Sequence, residues 1–467
     1  MFSVRKRGVA RVAAATLVSG LVVAGSIAIA GPAMADGGEH GTGGATATLG
    51  DLTIWDRVTV AGKDRPVAAG LFQMDVKPGG SIQTYCIDFR TDAIKDEEYK
   101  EVGWDASSLH NNKDAGKIRW ILQNSYPQVN DLGALADKVG AKSLTKKTAA
   151  AATQAAIWHF SDGLDAMPVD AEAKKLTEYL EKEAQNLEEP KASLSLAPSS
   201  VAGKVGERLG PITVSTNAEK AVVSLAPGAP AGVKIVDKDG KVVTDVTNGG
   251  QVFFDVPAGT PDGSAELSVK ADTTVPIGRA FVSTKVKSQT LILAGTSTST
   301  VAAKASASWA KKGAIPAVSA EKNCAKGGVD ITASNEGDED WTFDIKGVQY
   351  KIAPGESKTV TIPVAEDEAY DFTITGPNGF KKTFKGVLDC KTATPGPKPS
   401  ETPSGTPSPS TSPATGGTTT GSTTGGGDLA ETGGSSATPM IAGIAAALVV
   451  VGGGAVFFLR KKKTAGQ

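Results

Sequence analysis

Cysteine and histidine are both scarce in this chain, at three residues each in 467. Three cysteines are too few for a dense disulfide framework, and the scattered histidines and cysteines show none of the spacings by which proteins hold zinc. Aromatic residues make up 5% of the chain and the formal net charge is −1. With no basic patch and no run of stacking aromatics, nucleic acid is excluded as a partner. No glycine-rich loop follows a strand and opens a helix, so nucleotide chemistry has no support, and no cofactor is implied.

The ends of the chain are explicit. Arg5-Lys6-Arg7 and Arg11 precede an apolar run from Val12 to Gly31, and Ala33-Met34-Ala35 has the small-x-small form of a signal-peptidase site, with cleavage after Ala35. The leader thus spans residues 1–35 and the chain is exported. The glycine-rich stretch that follows, with His40, has little to bury and reads as a tail. Residues 392–428 are proline, serine, threonine and glycine, with too few apolar side chains to offset the entropy of ordering, and read as a stalk. Leu429-Ala430-Glu431-Thr432-Gly433 comes next, then an apolar run over 440–459 long enough to cross a membrane as a helix, then Arg460-Lys461-Lys462-Lys463. Four cations sit in the leader and four in the tail, so the segment between carries a formal charge of about −9.

Three globular regions lie between these ends. Residues 45–190 begin with alternating, strand-forming runs near 52–60, 68–76 and 81–89, and continue with helical patterns near 114–124, 131–139, 146–161 and 170–186. That is an α+β pattern. From 192 to 312 helical signals vanish, and short alternating runs punctuated by Asp239-Gly240, Asn248-Gly249-Gly250 and Asp262-Gly263 predict an all-β, Ig-like sandwich. Residues 313–391 repeat the style in a smaller sandwich with Cys324 and Cys390 at its two ends. In an oxidising compartment these two are expected to pair, tying the first strand of that unit to its last.

Cys86 is then left over, and an unpaired thiol outside the cell needs a reason. The run from Lys146 to Ser161 is alanine-rich and free of glycine and proline, with Ser143 or Thr145 as N-cap and Asp162-Gly163 as stop signal. On that helix Ala150, Ala151, Gln154, Ile157 and Trp158 share one stripe, so the Gln154 carboxamide points toward the core. On the strand before it, Thr84, Cys86 and Asp88 share one face, and Tyr85, Ile87 and Phe89 the other. Packing helix on strand brings a thiol and an amide within reach of each other.

Tyr85-Cys86-Ile87 and Thr153-Gln154-Ala155-Ala156-Ile157-Trp158 resemble the paired signatures of the thioester domains of Gram-positive surface proteins. The resemblance covers the first region. It implies an internal thioester between Cys86 and Gln154, opened by an amine on a target, such as a protein lysine, to leave a covalent amide. Such a domain is a single-use adhesin and not a turnover enzyme. Leu429-Ala430-Glu431-Thr432-Gly433 similarly resembles a sortase sorting signal of the L-A-x-T-G type read in high-GC Gram-positive bacteria. This implies cleavage after Thr432, transfer to a peptidoglycan amine, and membrane contact only through the 440–459 helix until that step.

Among the neighbours of the expected bond, Tyr85, Thr153 and Trp158 are placed to shield it, and Asp88 either moves a proton or makes a structural pair. His159 lies off the Gln154 stripe. Two other functions compete with the adhesin reading: a passive wall-anchored spacer with Cys86 inert, and a secreted cysteine hydrolase or transpeptidase using His159 or His110. The second fits poorly, since catalytic cysteines favour helix N-termini whereas Cys86 reads as strand.

Overall fold

The computed structural model describes residues 43–391. The leader with Ala35, the stalk, and the sorting motif Leu429, Ala430, Glu431, Thr432, Gly433 with the helix after it lie outside the described residues. Among the described residues, no helix is long and apolar enough to cross a membrane.

Alternation of apolar and polar residues makes the first four strands: β1 (Thr46–Val60), β2 (Val67–Lys77), β3 (Ser81–Cys86) and β4 (Glu98–Val102). Then come α1 (Ala115–Asn124), α2 (Leu132–Val139), α3 (Lys146–Asp162), β5 (Ala166–Pro168) and α4 (Ala171–Glu183). Helix α3 begins where the sequence says it should. Thr145 caps it in a reciprocal box with Thr148, and Gly163 ends it at φ 65°, a left-handed conformation that glycine adopts without strain. It is buried on every side from Ala149 to Trp158. Its alanines let it pack closely between the strands and helices α1 and α4.

The chain next forms β6 (Leu194–Ala197), β7 (Ser200–Lys204), β8 (Arg208–Thr216), β9 (Ala221–Leu225), β10 (Lys234–Val236), β11 (Asp245–Val246), β12 (Gln251–Asp255) and β13 (Gly263–Thr273). Two sheets result, β10-β12-β8-β6 and, with the later β16 (Ser299–Ala310), β11-β9-β13-β16-β7. Leu209, Ile212 and Phe254 from one sheet meet Val223, Leu267 and Ala305 from the other in a shared core, as a sandwich requires.

Between β13 and β16 the chain departs from the sandwich. β14 (Ala280–Ser283) and β15 (Leu291–Thr296) pair with the first unit instead, β14 on β4 and β15 on β3. Because β1 also pairs with β2 and with β4, the order β1-β2-β3-β15-β14-β4 closes on itself as a ring of strands, with β5 added to the far end of β1. The boundary expected at 190 is therefore corrected: the first unit takes two of its strands from inside the 192–312 region. The physical reason lies in Leu291, Ile292, Leu293 and Ala294, which are buried without alternation. Such a run suits a central strand covered on both faces, and without it β3 and β4 would be left as open edges.

A buried ion pair joins the inserted hairpin to the rest. Arg279 Nε donates to Glu101 Oε1 at 3.0 Å, and Arg279 Nη1 donates to Glu189 Oε1 at 2.6 Å and to the Pro190 carbonyl at 3.1 Å. Glu101 also accepts from the Ala45 N–H, the Ser193 N–H and the Ser193 hydroxyl, so strand, linker and hairpin meet at one carboxylate.

The last unit contains β17 (Pro316–Asn323), β18 (Gly328–Asn335), β19 (Trp341–Ile345), β20 (Val348–Ile352), β21 (Ser357–Pro363), β22 (Ala369–Thr375) and β23 (Lys381–Val387). They form one three-stranded sheet and two hairpins about a core that includes Trp341, Phe343, Phe372 and Phe384. Cys324, in the turn after β17, is bonded to Cys390, beyond β23, across 66 residues. Replacing both with alanine is expected to lower the unfolding free energy of this unit by about 4 kcal/mol, from the loop-closure entropy restored to the unfolded chain. Chemical denaturation of the double variant measures it.

Candidate functional site

Cys86 is the last residue of β3 and is buried, as is the whole of Gln154. Helix and strand meet as expected, but not at the thiol. The Cys86 N–H donates to Gln154 Oε1 at 3.0 Å, and Gln154 Nε2 donates to the Cys86 carbonyl at 2.9 Å. The carboxamide thus docks on the main chain of Cys86 as a second strand would, and both of its polar ends are satisfied there.

The sulfur faces a different amide. Cys86 Sγ lies 2.6 Å from Oε1 of Gln289, a residue just before β15 and 5% exposed. That is too close for a hydrogen bond to sulfur, a larger atom than oxygen. It is a separation that oxygen and sulfur keep when both are bonded to one acyl carbon. The expectation that Gln154 presents its acyl group to the thiol is corrected accordingly: Gln154 holds the Cys86 peptide, and the carboxamide meeting the sulfur belongs to Gln289.

Gln289 is held at its side-chain nitrogen and at both main-chain polar groups. Its Nε2 donates to the Asp88 carbonyl at 2.5 Å, its N–H to the Asp92 carbonyl at 3.1 Å, and its own carbonyl accepts from the Tyr99 hydroxyl at 3.0 Å. Tyr99 also shares a hydrogen bond with Ser288. On the next residue, the Thr290 carbonyl accepts from the Ile87 N–H and its hydroxyl donates to Asp389 Oδ2 at 3.0 Å. The amide therefore has its orientation set before any reaction, which is the condition under which a poor electrophile can be attacked.

Burial, reinforced by the negative charges of Asp162 and Asp88, holds the Cys86 thiol well above its ordinary pKa. Hydrolytic cysteines have the opposite environment, one that lowers the pKa and keeps a thiolate. Of the remaining expected residues, Trp158 shares the core cluster of Cys86, whereas Tyr85 packs in the cluster on the other face of β3. The buried Tyr85 hydroxyl donates to the Tyr126 carbonyl at 2.8 Å, and burial pushes its pKa upward. Thr153 donates to the Ala149 carbonyl at 2.8 Å, one turn back on α3. Trp158 meets Phe89 edge to face at 4.9 Å and shares a core cluster with Cys86, Tyr99 and Leu291. Asp88 is buried, and its main-chain carbonyl orients Gln289. His159 is exposed on α3, and His110 Nε2 is hydrogen-bonded to Asn111.

Residues 83–186 match the family model described as Thioester domain. Residues 316–387 match the model described as Bacterial phospholipase C, C-terminal domain. Among solved structures the chain is similar to the Bacillus anthracis TIE protein, at 16% identity and a TM-score of 0.27, over 75% of this chain and 81% of that one. It is also similar to the thioester domain of the Enterococcus faecium TIE86 protein, at 18% identity and a TM-score of 0.27, over 59% of this chain and 99% of that one. No curated protein matches the chain. Gln289 lies outside the span matched to the thioester-domain family, about a hundred residues past its end.

Proposed function

We propose that this chain is a surface adhesin that captures its target covalently through a thioester between the Cys86 sulfur and the Gln289 acyl carbon. The observation that carries the reading is the 2.6 Å approach of Cys86 Sγ to Gln289 Oε1, with both residues buried. In the forming step the sulfur attacks the Gln289 side-chain carbon. The C–S bond forms, the C–N bond breaks, and the amide nitrogen leaves as ammonia with the thiol proton. Gln154 keeps the Cys86 peptide in place, and the Asp88 carbonyl orients the departing nitrogen.

In the capturing step an amine, most simply a deprotonated lysine on the target, attacks the same carbon. A C–N bond forms, the C–S bond breaks, and Cys86 regains a proton. The product is an amide of ordinary stability, so each molecule acts once and there is no turnover. The leader to Ala35 would export the chain, and the motif at Leu429–Gly433 would allow a sortase to transfer Thr432 to peptidoglycan, placing the thioester unit at the cell surface. No cofactor enters either step.

Incubating the purified protein with a fluorescent primary amine tests the reading. Stoichiometric labelling that survives denaturation is expected, and it is lost in Cys86→Ala and in Gln289→Ala. Immediate alkylation of Cys86 by iodoacetamide, without prior amine, would contradict it and favour a spacer or hydrolase with a free thiol.

A further inference from the structure

The third unit reaches into this site. Asp389, next to the disulfide at Cys390, is 5% exposed and accepts from the Thr290 hydroxyl at 3.0 Å, one residue beyond Gln289. Its other oxygen, Oδ1, is buried without a hydrogen-bond partner. The segment is pinned from behind, since the Cys390 and Lys391 N–H groups both donate to Glu366 Oε1 at 2.7 Å. Lys287, in the β14–β15 hairpin, donates to Asp367 Oδ2 at 2.5 Å and closes the same junction.

Resting on the Cys86–Gln289 reading, we propose that Asp389 is a positioning residue of the thioester site, supplied by the third unit. Through Thr290 it holds Gln289 in register, and when ionised it sets a negative charge near the acyl carbon that slows attack by an amine. Attack on a thioester builds negative charge on the carbonyl oxygen, and a neighbouring anion in a buried site opposes that charge. The charged groups facing Asp389 are Asp88 from the segment after β3, Glu366 and Asp367 from the turn before β22, and Lys287, which is paired with Asp367. Tyr99 is the nearby neutral acid. Burial, then the charge of Asp88, raises the Asp389 carboxyl to about 7. The restraint is therefore absent in mild acid and present in mild base.

The test uses the mature chain with all three units and follows methylamine addition by intact mass between about pH 5.5 and about pH 9. The ratio of the Asp389→Asn rate to the wild-type rate cancels the ionisation of methylamine itself. It is expected to be near one below about pH 6 and to rise by about five- to tenfold above about pH 8, turning near neutrality. A ratio that is flat, or that falls with rising pH, overturns the electrostatic role. Thr290→Val, which keeps the side-chain shape and removes the link, is expected to lower the fraction of molecules lacking one ammonia; an unchanged fraction overturns the positioning role. Wild-type protein that retains its full mass refutes the thioester itself and this inference with it. A bond that is present with a flat ratio and an unchanged Thr290→Val fraction refutes the inference alone.

Discussion

Gln154→Ala is expected to cost the first unit about 2–6 kcal/mol and to leave most molecules without the thioester. Two buried main-chain groups of Cys86, its N–H at 3.0 Å and its carbonyl at 2.9 Å, lose their partner together. Each unsatisfied buried group carries a desolvation penalty of about 1–3 kcal/mol. The loss of alignment has a second effect. Amide attack depends on a near-attack geometry, and a displacement of about 1 Å costs about a hundredfold in rate. Chemical denaturation measures the first effect, and the time course of ammonia loss in freshly folded protein measures the second. Gln154→Glu separates them from simple cavity formation. It keeps the shape and the oxygen facing the Cys86 N–H but offers no donor to the Cys86 carbonyl while ionised. It should therefore resemble alanine more than wild type.

Arg279→Ala is expected to destabilise the protein by about 3–5 kcal/mol, because it leaves a buried carboxylate without its countercharge. The side chains of Glu101 and Arg279 are 0% and 7% exposed. The change should also lower the yield of thioester, though Arg279 touches neither Cys86 nor Gln289. Arg279 begins the hairpin that carries β14 and β15, and Gln289 is placed only when β15 is paired with β3. By contrast, breaking the exposed pair between Lys95 and Asp51 should change neither property measurably, since solvent screens it. Equilibrium unfolding and intact mass on the same preparations distinguish the two cases.

Much of this architecture was readable from local pattern. The alanine run from 149 to 156 with Thr145 before it and Gly163 after it could only be a helix, and the burial of Gln154 followed from its stripe. The alternation that separates Cys86 from Tyr85 and Ile87 is seen in their different core clusters, but the strand stops at Cys86, and Phe89, expected on the face of Tyr85, packs in the cluster of Cys86 instead. The pairing of Cys324 with Cys390 followed from their places at the ends of one small unit. What local pattern could not reveal is which carboxamide the thiol meets. A buried glutamine either reacts or bonds to the backbone, and only tertiary distance separates the outcomes.

Gln289 was obscured by a second cause. It lies 203 residues beyond Cys86, past every strand of the two-sheet sandwich but β16. Leu291 to Leu293 looked like one more strand of that sandwich. The available signal was the lack of alternation through Ala294, which suits a strand covered on both faces better than one in a half-exposed sheet. Asp389 had no signal at all beyond its position beside a cysteine. Its role arises from the contact between two units, and no periodicity within either unit reports that contact.

The account depends most on which acyl carbon the sulfur takes. Wild-type protein treated with methylamine, digested and sequenced by tandem mass spectrometry should carry the N-methyl amide on residue 289, with residue 154 an unmodified glutamine and the Cys86 thiol newly free to alkylate. An N-methyl amide on residue 154, or no adduct together with a Cys86 that alkylates before any amine is added, would contradict it.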